Sequence, residues 1–549
     1  MQRTCTQTGQ PFDVSPAEMS LRQKLRVEGE PTLHPVFRFM QRAAFWQHWN
    51  LHPRNCDLTG QSIISVFGTE CPYPVWHKDE WVKHANPPQA VCGESGAVFP
   101  QMWALFQQCP IAHNMGAGNQ NCEYTDDAWY SKNCYLFHSA LGCEDCRYSY
   151  RNIRMKDSIY STYSFESERT CDFMYSMNCF DVKYALHCRD CNNCAFIYDC
   201  RGCTDCLLCC NLRNKKYCFG NQQYSKEAYE KIVQEWNIAS YDVYQKAEQA
   251  FGRMMREQAW HRALFIDRSE ACTGNYVDHS KNLSNCFFVD DAEDCVNVMR
   301  TTGSKDCLDC LSPAVKGELI YCSCTCQDQC YGCRYCYDLI SSQHMEYCAH
   351  CFQCRNCFGC CGLVGKEYCI FNKPYSKEEY EEEKNRIIHL MQQSGEYGRF
   401  FPGHFAANPY EESLAGFHWP LDESSLERYG FRKGHRTVAR PADARDIAEI
   451  PADVQKTTPE LASVIFWDES AQRPFQIQQA DIAFSRKLQV PLPHSYYMRR
   501  IRDNFAQIPF NGALRTASCG ACTENMQTSW PAQYDGRILC ENCYLKEVY

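Results

Sequence analysis

From Cys200 to Tyr229 the chain reads CRGCTDCLLCCNLRNKKYCFGNQQYSKEAY, and 151 residues later, from Cys351 to Tyr380, it reads CFQCRNCFGCCGLVGKEYCIFNKPYSKEEY. Six cysteines fall in register: Cys200 with Cys351, Cys203 with Cys354, Cys206 with Cys357, Cys209 with Cys360, Cys210 with Cys361 and Cys218 with Cys369. A repeat at fixed spacing constrains architecture more than local propensity does, because each unit must bury its apolar face against a neighbour. The chain is therefore an internal duplication of a cysteine ladder.

How those thiols are read depends on the compartment. The start, MQRTCTQTGQPFDVSPAEMS, has no apolar stretch after its basic residue, so no signal peptide is expected, and no run of 18 apolar residues occurs in the sequence. A cytoplasmic protein without a membrane span is the expectation. In a reducing cytosol, 42 cysteines in 549 residues are metal ligands or buried free thiols rather than disulfides. The net charge of −10 argues against a chain built mainly to grip phosphate backbones. A small basic excess in residues 1–55 and 485–549 reads as solvated surface.

A second duplication lies at the ends, at a constant offset of 463 residues. Pro11-Phe12 meets Pro474-Phe475, Cys56 meets Cys519, Thr59 meets Cys522, His77 meets Cys540 and Glu80 meets Cys543. The C-terminal copy spells C-x2-C-x17-C-x2-C through Cys519, Cys522, Cys540 and Cys543. Each C-x2-C turn aims two thiolates at one point, and two such turns close a tetrahedral zinc site. Four thiolates leave no position open to water, so this Zn2+ would be structural. The N-terminal copy has decayed: Cys56, His77 and Glu80 either hold a mixed metal site, with Cys71 nearby, or are a metal-free remnant packed around Phe67, Trp76 and Trp81.

Between the ends, short runs rich in aromatic and β-branched residues recur behind polar leads, Asn133-Cys134, Asp157-Ser158, Asn178-Cys179, Asn193-Cys194 and Asn285-Cys286. The runs are strand-length. The expected fold is mixed but β-rich: two tandem Cys-rich β-solenoid-like arrays, each ending in a helix, flanked by zinc-ribbon-like modules. The divisions are 1–115, 116–224, a helical connector 225–265, 266–375, a capping helix 376–400, an extended proline-bearing linker 401–450, and 451–549. Spacings of 24, 21 and 15 residues between leads look irregular, so a string of small zinc-knuckle-like folds is the alternative. The ladder cysteines either fill the interior as small hydrophobes or pair as thiolate metal sites, with Cys188, Cys191, Cys203, Cys206, Cys330 and Cys333 the candidates. Vicinal Cys209-Cys210 and Cys360-Cys361 are a further, redox-active option. Ser376-Lys377-Glu378-Glu379 is a capping box, and Ser225 caps the matching helix of the first array.

CDLTGQSIISVF (56–67), CRNCFGCCGL with KEYCIFNKPYSKEEY (354–380), HWPLDESSLERYGFRKG (418–434) and CENCYLKEVY (540–549) resemble an uncharacterised cysteine-rich family of bacteria with small genomes. The resemblance spans nearly the whole chain. It implies a full zinc ribbon at each end, with paired cysteines in every half-module. This chain departs from that pattern at Cys5 to Thr8, His34 to Phe37, Asp468 to Ala471 and Tyr496 to Arg499. The family implies no activity. The sequence holds no nucleotide loop, nucleophile elbow or metalloprotease helix. A zinc-binding, non-enzymatic scaffold for a macromolecular partner, protein before RNA, is the leading expectation. A metal or thiol reservoir and an enzyme using Cys56, His77 and Glu80 are the alternatives.

Overall fold

The computed structural model describes residues 1–27, 31–46, 50–270, 272–280, 286–290, 295–296, 305–311, 318, 326–327, 334, 337–434, 438–510 and 512–549. They form a β-rich chain with twelve α-helices and one sheet of eleven strands running from Gly116–Ala117 to Gln222–Gln223. Successive strands of this sheet are parallel and advance by twelve residues: Glu123 lies beside Tyr135, Tyr135 beside Arg147, Arg147 beside Ile159, and so on to Thr204 beside Lys216. Only the closing hairpin of Lys216–Phe219 with Gln222–Gln223 is antiparallel.

Within each twelve-residue rung a shorter period operates. Every third residue carries a left-handed backbone, as in Tyr124, Asp127, Tyr130, Asn133, Leu136 and Ser139, with φ between 46° and 58°. The residue that follows each of these turns into the interior: Ala128, Cys134, Phe137 and Ala140 are buried in one core cluster. Each rung thus has four corners and four inward side chains. Asn133, Asp157, Asn178 and Asn193, the polar leads of the sequence, all sit at such corners, where Asn and Asp tolerate the left-handed region best. Tyrosine is less suited, at about 1–2 kcal/mol per left-handed residue. Stacking offsets part of that cost: Tyr148 lies flat on Tyr160 at 5.2 Å, and Tyr184 on Phe196 at 4.7 Å. Backbone bonds run from rung to rung, for example Lys132 N–H to the Cys143 carbonyl and Asn133 N–H to that of Gln120.

The second array keeps the twelve-residue advance where it is described. Gly274 pairs with Cys286, Tyr337 with Ala349, Gln343 with Arg355, and Arg355 with Glu367. Helix Lys377–Gln393 follows, opened by the capping box in which Ser376 Oγ accepts from Glu379 N–H and the Glu379 carboxylate accepts from Ser376 N–H. Its Tyr380, Ile387 and Met391 face inward. After the first array, Ser225 accepts from Ala228 N–H to start Lys226–Glu235, and Tyr241–Glu257 follows.

The segment read as an extended linker is folded over its first part. Helices Leu414–His418 and Glu423–Tyr429 interrupt it. Phe400, Phe401 and Phe405 are buried among Phe45, Phe99, Trp103, Phe106, Tyr337 and Tyr347. Prolines at 402, 409 and 420 break the chain into short pieces but leave its aromatic side chains free to pack.

Two compact units result, and neither follows chain order. One contains Met1–Asn114, Leu264–Gly434 and Asn511–Leu514; the other contains Met115–Ala263, His435–Phe510 and Arg515–Tyr549. The N-terminal module therefore folds with the second array, and the C-terminal module with the first. Equivalent contacts recur in each. Lys24 meets Asp306 at 2.5 Å in one unit, and Lys487 meets Asp157 at 2.6 Å in the other. Strand Val75–Trp76 pairs with Ile111–Ala112, as Ile538–Leu539 pairs with His261–Arg262. Ser65 Oγ donates to the His113 carbonyl, and Thr528 Oγ1, 463 residues on, donates to that of Ala263.

Candidate metal centre

A hairpin of Arg515–Ser518 with Asn525–Thr528 turns through Cys519 and Cys522, and the short strand Ile538–Leu539 leads into Cys540 and helix Glu541–Val548. Cys540 stands at the helix N-cap position and Cys543 one turn on. The turn is tight: Thr523 N–H bonds to the Cys519 carbonyl, and Gly520 N–H to that of Ile538. A side chain at Gly520 would place its Cβ 2.2 Å from the Gly536 carbonyl oxygen, so only glycine allows the two loops to close.

This geometry brings all four thiol sulfurs within 4.8 Å of one another. The Cys522 and Cys540 sulfurs are 3.8 Å apart, the edge of a tetrahedron whose metal–sulfur distance is about 2.3 Å. The donor set therefore fits a four-thiolate metal ion, and the cluster can hold one. Among the described residues no other set of three or more such ligand atoms draws so close. Burial raises the Cys519 thiol, but the backbone N–H groups of Cys522, Cys540 and Ala521 outweigh it and hold the group down to about 6. Its neighbours respond in the opposite sense: hydrogen bonds with Cys540 and then Cys522 push Cys543 up to about 12. A cation at the centre removes that competition, since all four sulfurs then face a positive charge.

The cluster is anchored to the first array and its following helix. Tyr544 donates its hydroxyl to Asp199, which also pairs with Arg213 at 3.1 Å. Arg262 pairs with Glu541 at 2.6 Å, and the Trp530 indole N–H donates to the Arg262 carbonyl. None of these anchors carries a sequence signature, because each joins residues more than 250 positions apart or reads as ordinary surface charge.

In the N-terminal copy the backbone is kept and the cluster is lost. Cys56 N–H bonds to Gln61 as Cys519 N–H bonds to Glu524, and His77 N–H bonds to Cys56 Sγ as Cys540 N–H bonds to Cys519 Sγ. The three candidate ligands turn to other work. His77 Nδ1 accepts from Asp79 N–H to cap helix Lys78–His84, its ring stacks on His113 at 4.8 Å, and Glu80 lies 3.5 Å from His84. Cys71 is half-buried and lies apart, its thiol pushed up to about 12 by desolvation.

Elsewhere in the C-terminal module, the buried Asp468 forms an ion pair with Arg499. Asp468 accepts from Ser470, Ala471 and Tyr496 N–H groups and pairs with Arg499 at 2.7 Å.

Cys188, Cys191, Cys203 and Cys206 lie inside the first array, buried in a single cluster. Cys188 Sγ donates to the carbonyls of Leu186 and Ile197 at 3.4 and 3.5 Å; Cys191 does the same to Arg189 and Cys200. Inward serines make the same two bonds, as Ser164 Oγ does to Thr162 and Phe173. Thiol and hydroxyl are thus alternative fillings of one position, each a small group donating to two carbonyls two residues back and nine residues on. Replacing Cys188 by serine is expected to cost less than about 1.5 kcal/mol and to leave metal content unchanged; denaturant melts with elemental analysis check both. Cys209 and Cys210, adjacent in one strand, point to opposite sides of the wall: Cys209 belongs to the inner cluster, whereas Cys210 N–H bonds to Asn221 outside it. Cys330 and Cys333 lie outside the described residues.

Fold and site together define a cysteine-rich β-ladder protein with one four-thiol centre among the described residues. Compared with protein-family models, with curated proteins and with solved structures, the chain matches none. No helix among the described residues is long and apolar enough to cross a membrane.

Proposed function

We propose that the protein is a zinc-stabilised, non-enzymatic scaffold of the reducing cytosol, in which two solenoid-like arrays present repetitive outer surfaces to a protein partner. The observation that carries this reading is the four-thiol cluster itself. Its four donors would fill a tetrahedral ion without water, and it sits beside Tyr544, Glu541 and Trp530, which bond to Asp199 and Arg262. A four-thiolate zinc staples chain segments and leaves no coordination site for a substrate. The twelve-residue rungs support the solenoid reading, since each buries its four inward side chains only against the rungs on either side. The net charge favours a protein over RNA as partner.

Elemental analysis of the purified chain, with a free-thiol count after denaturation and chelation, tests the reading. About one zinc per chain is the expected result, with the ladder thiols reactive once unfolded. Six or more would make the ladders themselves metallated and the protein a reservoir. No zinc would remove the staple.

A further inference from the structure

The two arrays carry matching helices, but the side chains between helix and wall differ. Tyr217 meets Tyr229 with ring centres 5.9 Å apart, and 151 residues on Tyr368 meets Tyr380 at 5.7 Å. Helices Lys226–Glu235 and Lys377–Gln393 thus start alike on their arrays. In the second array, Glu346 at the end of strand Gln343–Glu346 pairs with Lys384 of the helix at 2.7 Å. Its other oxygen accepts from the Tyr397 hydroxyl at 3.5 Å. Only 9% of the Glu346 side chain and 20% of that of Lys384 are exposed. At the same places the first array has Ala195 and Val233. The register agrees: Ala195 stacks between Lys183 and Leu207, and Glu346 stands beside Phe358, the counterpart of Leu207.

This exchange takes away a carboxylate and an ammonium together, and a cleft of about 290 Å³ lies there. Its apolar lining is Ala195, Leu207, Tyr229, Val233, Trp236 and Leu488. The first helix stops at Glu235, so Trp236 falls past its end, whereas the second helix runs on to Gln393. Arg169, Asp181 and Lys183 supply the charges of the lining. Lys183, buried in the wall, pairs with Asp181, and Arg169 pairs with the same carboxylate at 3.5 Å. Two cations therefore share one anion, and the lining carries one positive charge in excess. A buried charge is costly until it is balanced. A monoanion balances this one, whereas a phosphate monoester, with about −1.5 to −2 charges at neutral pH, would exceed it.

We propose that the cleft binds a small organic acid with one carboxylate and an apolar body. The carboxylate faces Lys183 and Arg169, and the body lies over Ala195 and Leu207 against Val233 and Trp236. Rungs of a parallel ladder are about 4.8 Å apart, so Lys183 and Leu207, two rungs apart, are separated by about 10 Å along the column. An alkyl chain of medium length reaches from one to the other. Burial of that chain supplies most of the affinity, and the cations choose acids over neutral molecules of the same shape. The ligand takes the space that the Glu346–Lys384 pair occupies in the second array. The proposal goes beyond the scaffold reading and does not rest on its metal, so each can fail alone.

Isothermal titration of the full chain with octanoate, and in parallel with octan-1-ol and inorganic phosphate, is the test. Octanoate is expected to bind at one site per chain, about tenfold tighter than octan-1-ol, with no binding of phosphate. Lys183→Met should bring octanoate to within about threefold of the alcohol and leave the alcohol unchanged. Ala195→Glu combined with Val233→Lys copies the ion pair of the second array, and it is expected to abolish binding of both compounds with an unchanged circular dichroism spectrum. Absence of octanoate binding at about 1 mM would overturn the proposal. So would equal affinity for acid and alcohol, phosphate binding as tight as that of octanoate, or undiminished binding in the Ala195→Glu, Val233→Lys variant. A folding defect in that double variant does not blur the outcome, because Lys183→Met must separate acid from alcohol, and equal weakening of both would overturn the proposal as well.

Discussion

On the proposed zinc assignment, Cys519→Ser is expected to release the metal and open the loops that carry the four C-terminal cysteines. Cys519 is the most protected of the four sulfurs: it is buried, and three backbone N–H groups hold it as a thiolate. A serine there keeps neither the charge nor the reach of a thiolate ligand, and three ligands with an open fourth position bind far less tightly. Structural zinc contributes about 10–16 kcal/mol in isolated zinc-finger peptides at neutral pH. Here the loss should be smaller, because Tyr544, Glu541 and Trp530 hold these loops through Asp199 and Arg262 independently of the metal. The expected result is loss of the zinc and rapid proteolysis within 515–549, with cleavage elsewhere unchanged. Chelation of the wild type should reproduce that pattern and added zinc should reverse it. Retention of a full equivalent of metal by Cys519→Ser would dismiss the assignment.

Asp172→Ala is expected to destabilise the unit containing the first array by about 3–5 kcal/mol. The carboxylate is buried at a meeting of three elements. It pairs with Arg500, and it accepts from Asn504 Nδ2 at 3.0 Å and from the Tyr244 hydroxyl. Arg500 also lies 4.3 Å from the centre of the Tyr160 ring. Removing the carboxylate leaves the Arg500 charge buried without a partner, which costs more than the pair was worth. Asp172→Leu combined with Arg500→Met should therefore be more stable than either single variant, and urea titration of the four proteins gives the comparison.

The same network predicts an acid limb. Burial raises the Asp172 carboxyl, but the Arg500 charge and the hydrogen bonds from Arg500, Asn504 and Tyr244 outweigh it and hold the group below its ordinary value. Its contribution is thus fully present above the unfolded-state value of about 4 and is lost as pH falls through the lower folded value. Melting temperature should drop below about pH 4 in the wild type, and less steeply in the double variant. An acid limb of equal slope in both would assign the effect to other carboxylates.

Much of this was legible in the residues, though not always at the right period. The four C-terminal cysteines were readable because two C-x2-C turns are local and each prescribes its own geometry; the structure gathers those four sulfurs. The polar leads marked real corners, yet their spacings of 24, 21 and 15 looked irregular because a period was sought in whole coils. All three are multiples of three, and three is the interval of the left-handed corners. The signal was hidden because inward positions accept cysteine, serine, alanine, threonine and phenylalanine alike, so no single residue type marks the repeat. The N-terminal copy has ligand-capable residues at Cys56, His77 and Glu80, but His77 serves a helix cap and Glu80 a neighbouring histidine. Residue type alone does not say which of two local partners a side chain will take. The segment 401–434 was misread because proline content was weighed above aromatic content.

What the sequence determined by itself is the set of parts: two arrays duplicated at 151 residues, two end modules duplicated at 463, and one complete four-cysteine set. These are statements about short spacings, and short spacings fix local backbone and local ligand geometry. What only the tertiary structure decided is the pairing of the parts. Each array offers a buried aspartate to a lysine of an end module, Asp306 to Lys24 and Asp157 to Lys487, so this contact does not mark in the sequence which module joins which array. The folded chain joins the first module to the second array and the last module to the first. Docking of this kind rests on side chains hundreds of residues apart, Arg500 on Asp172 and Tyr544 on Asp199 among them, and no local pattern records which partner a buried charge will find.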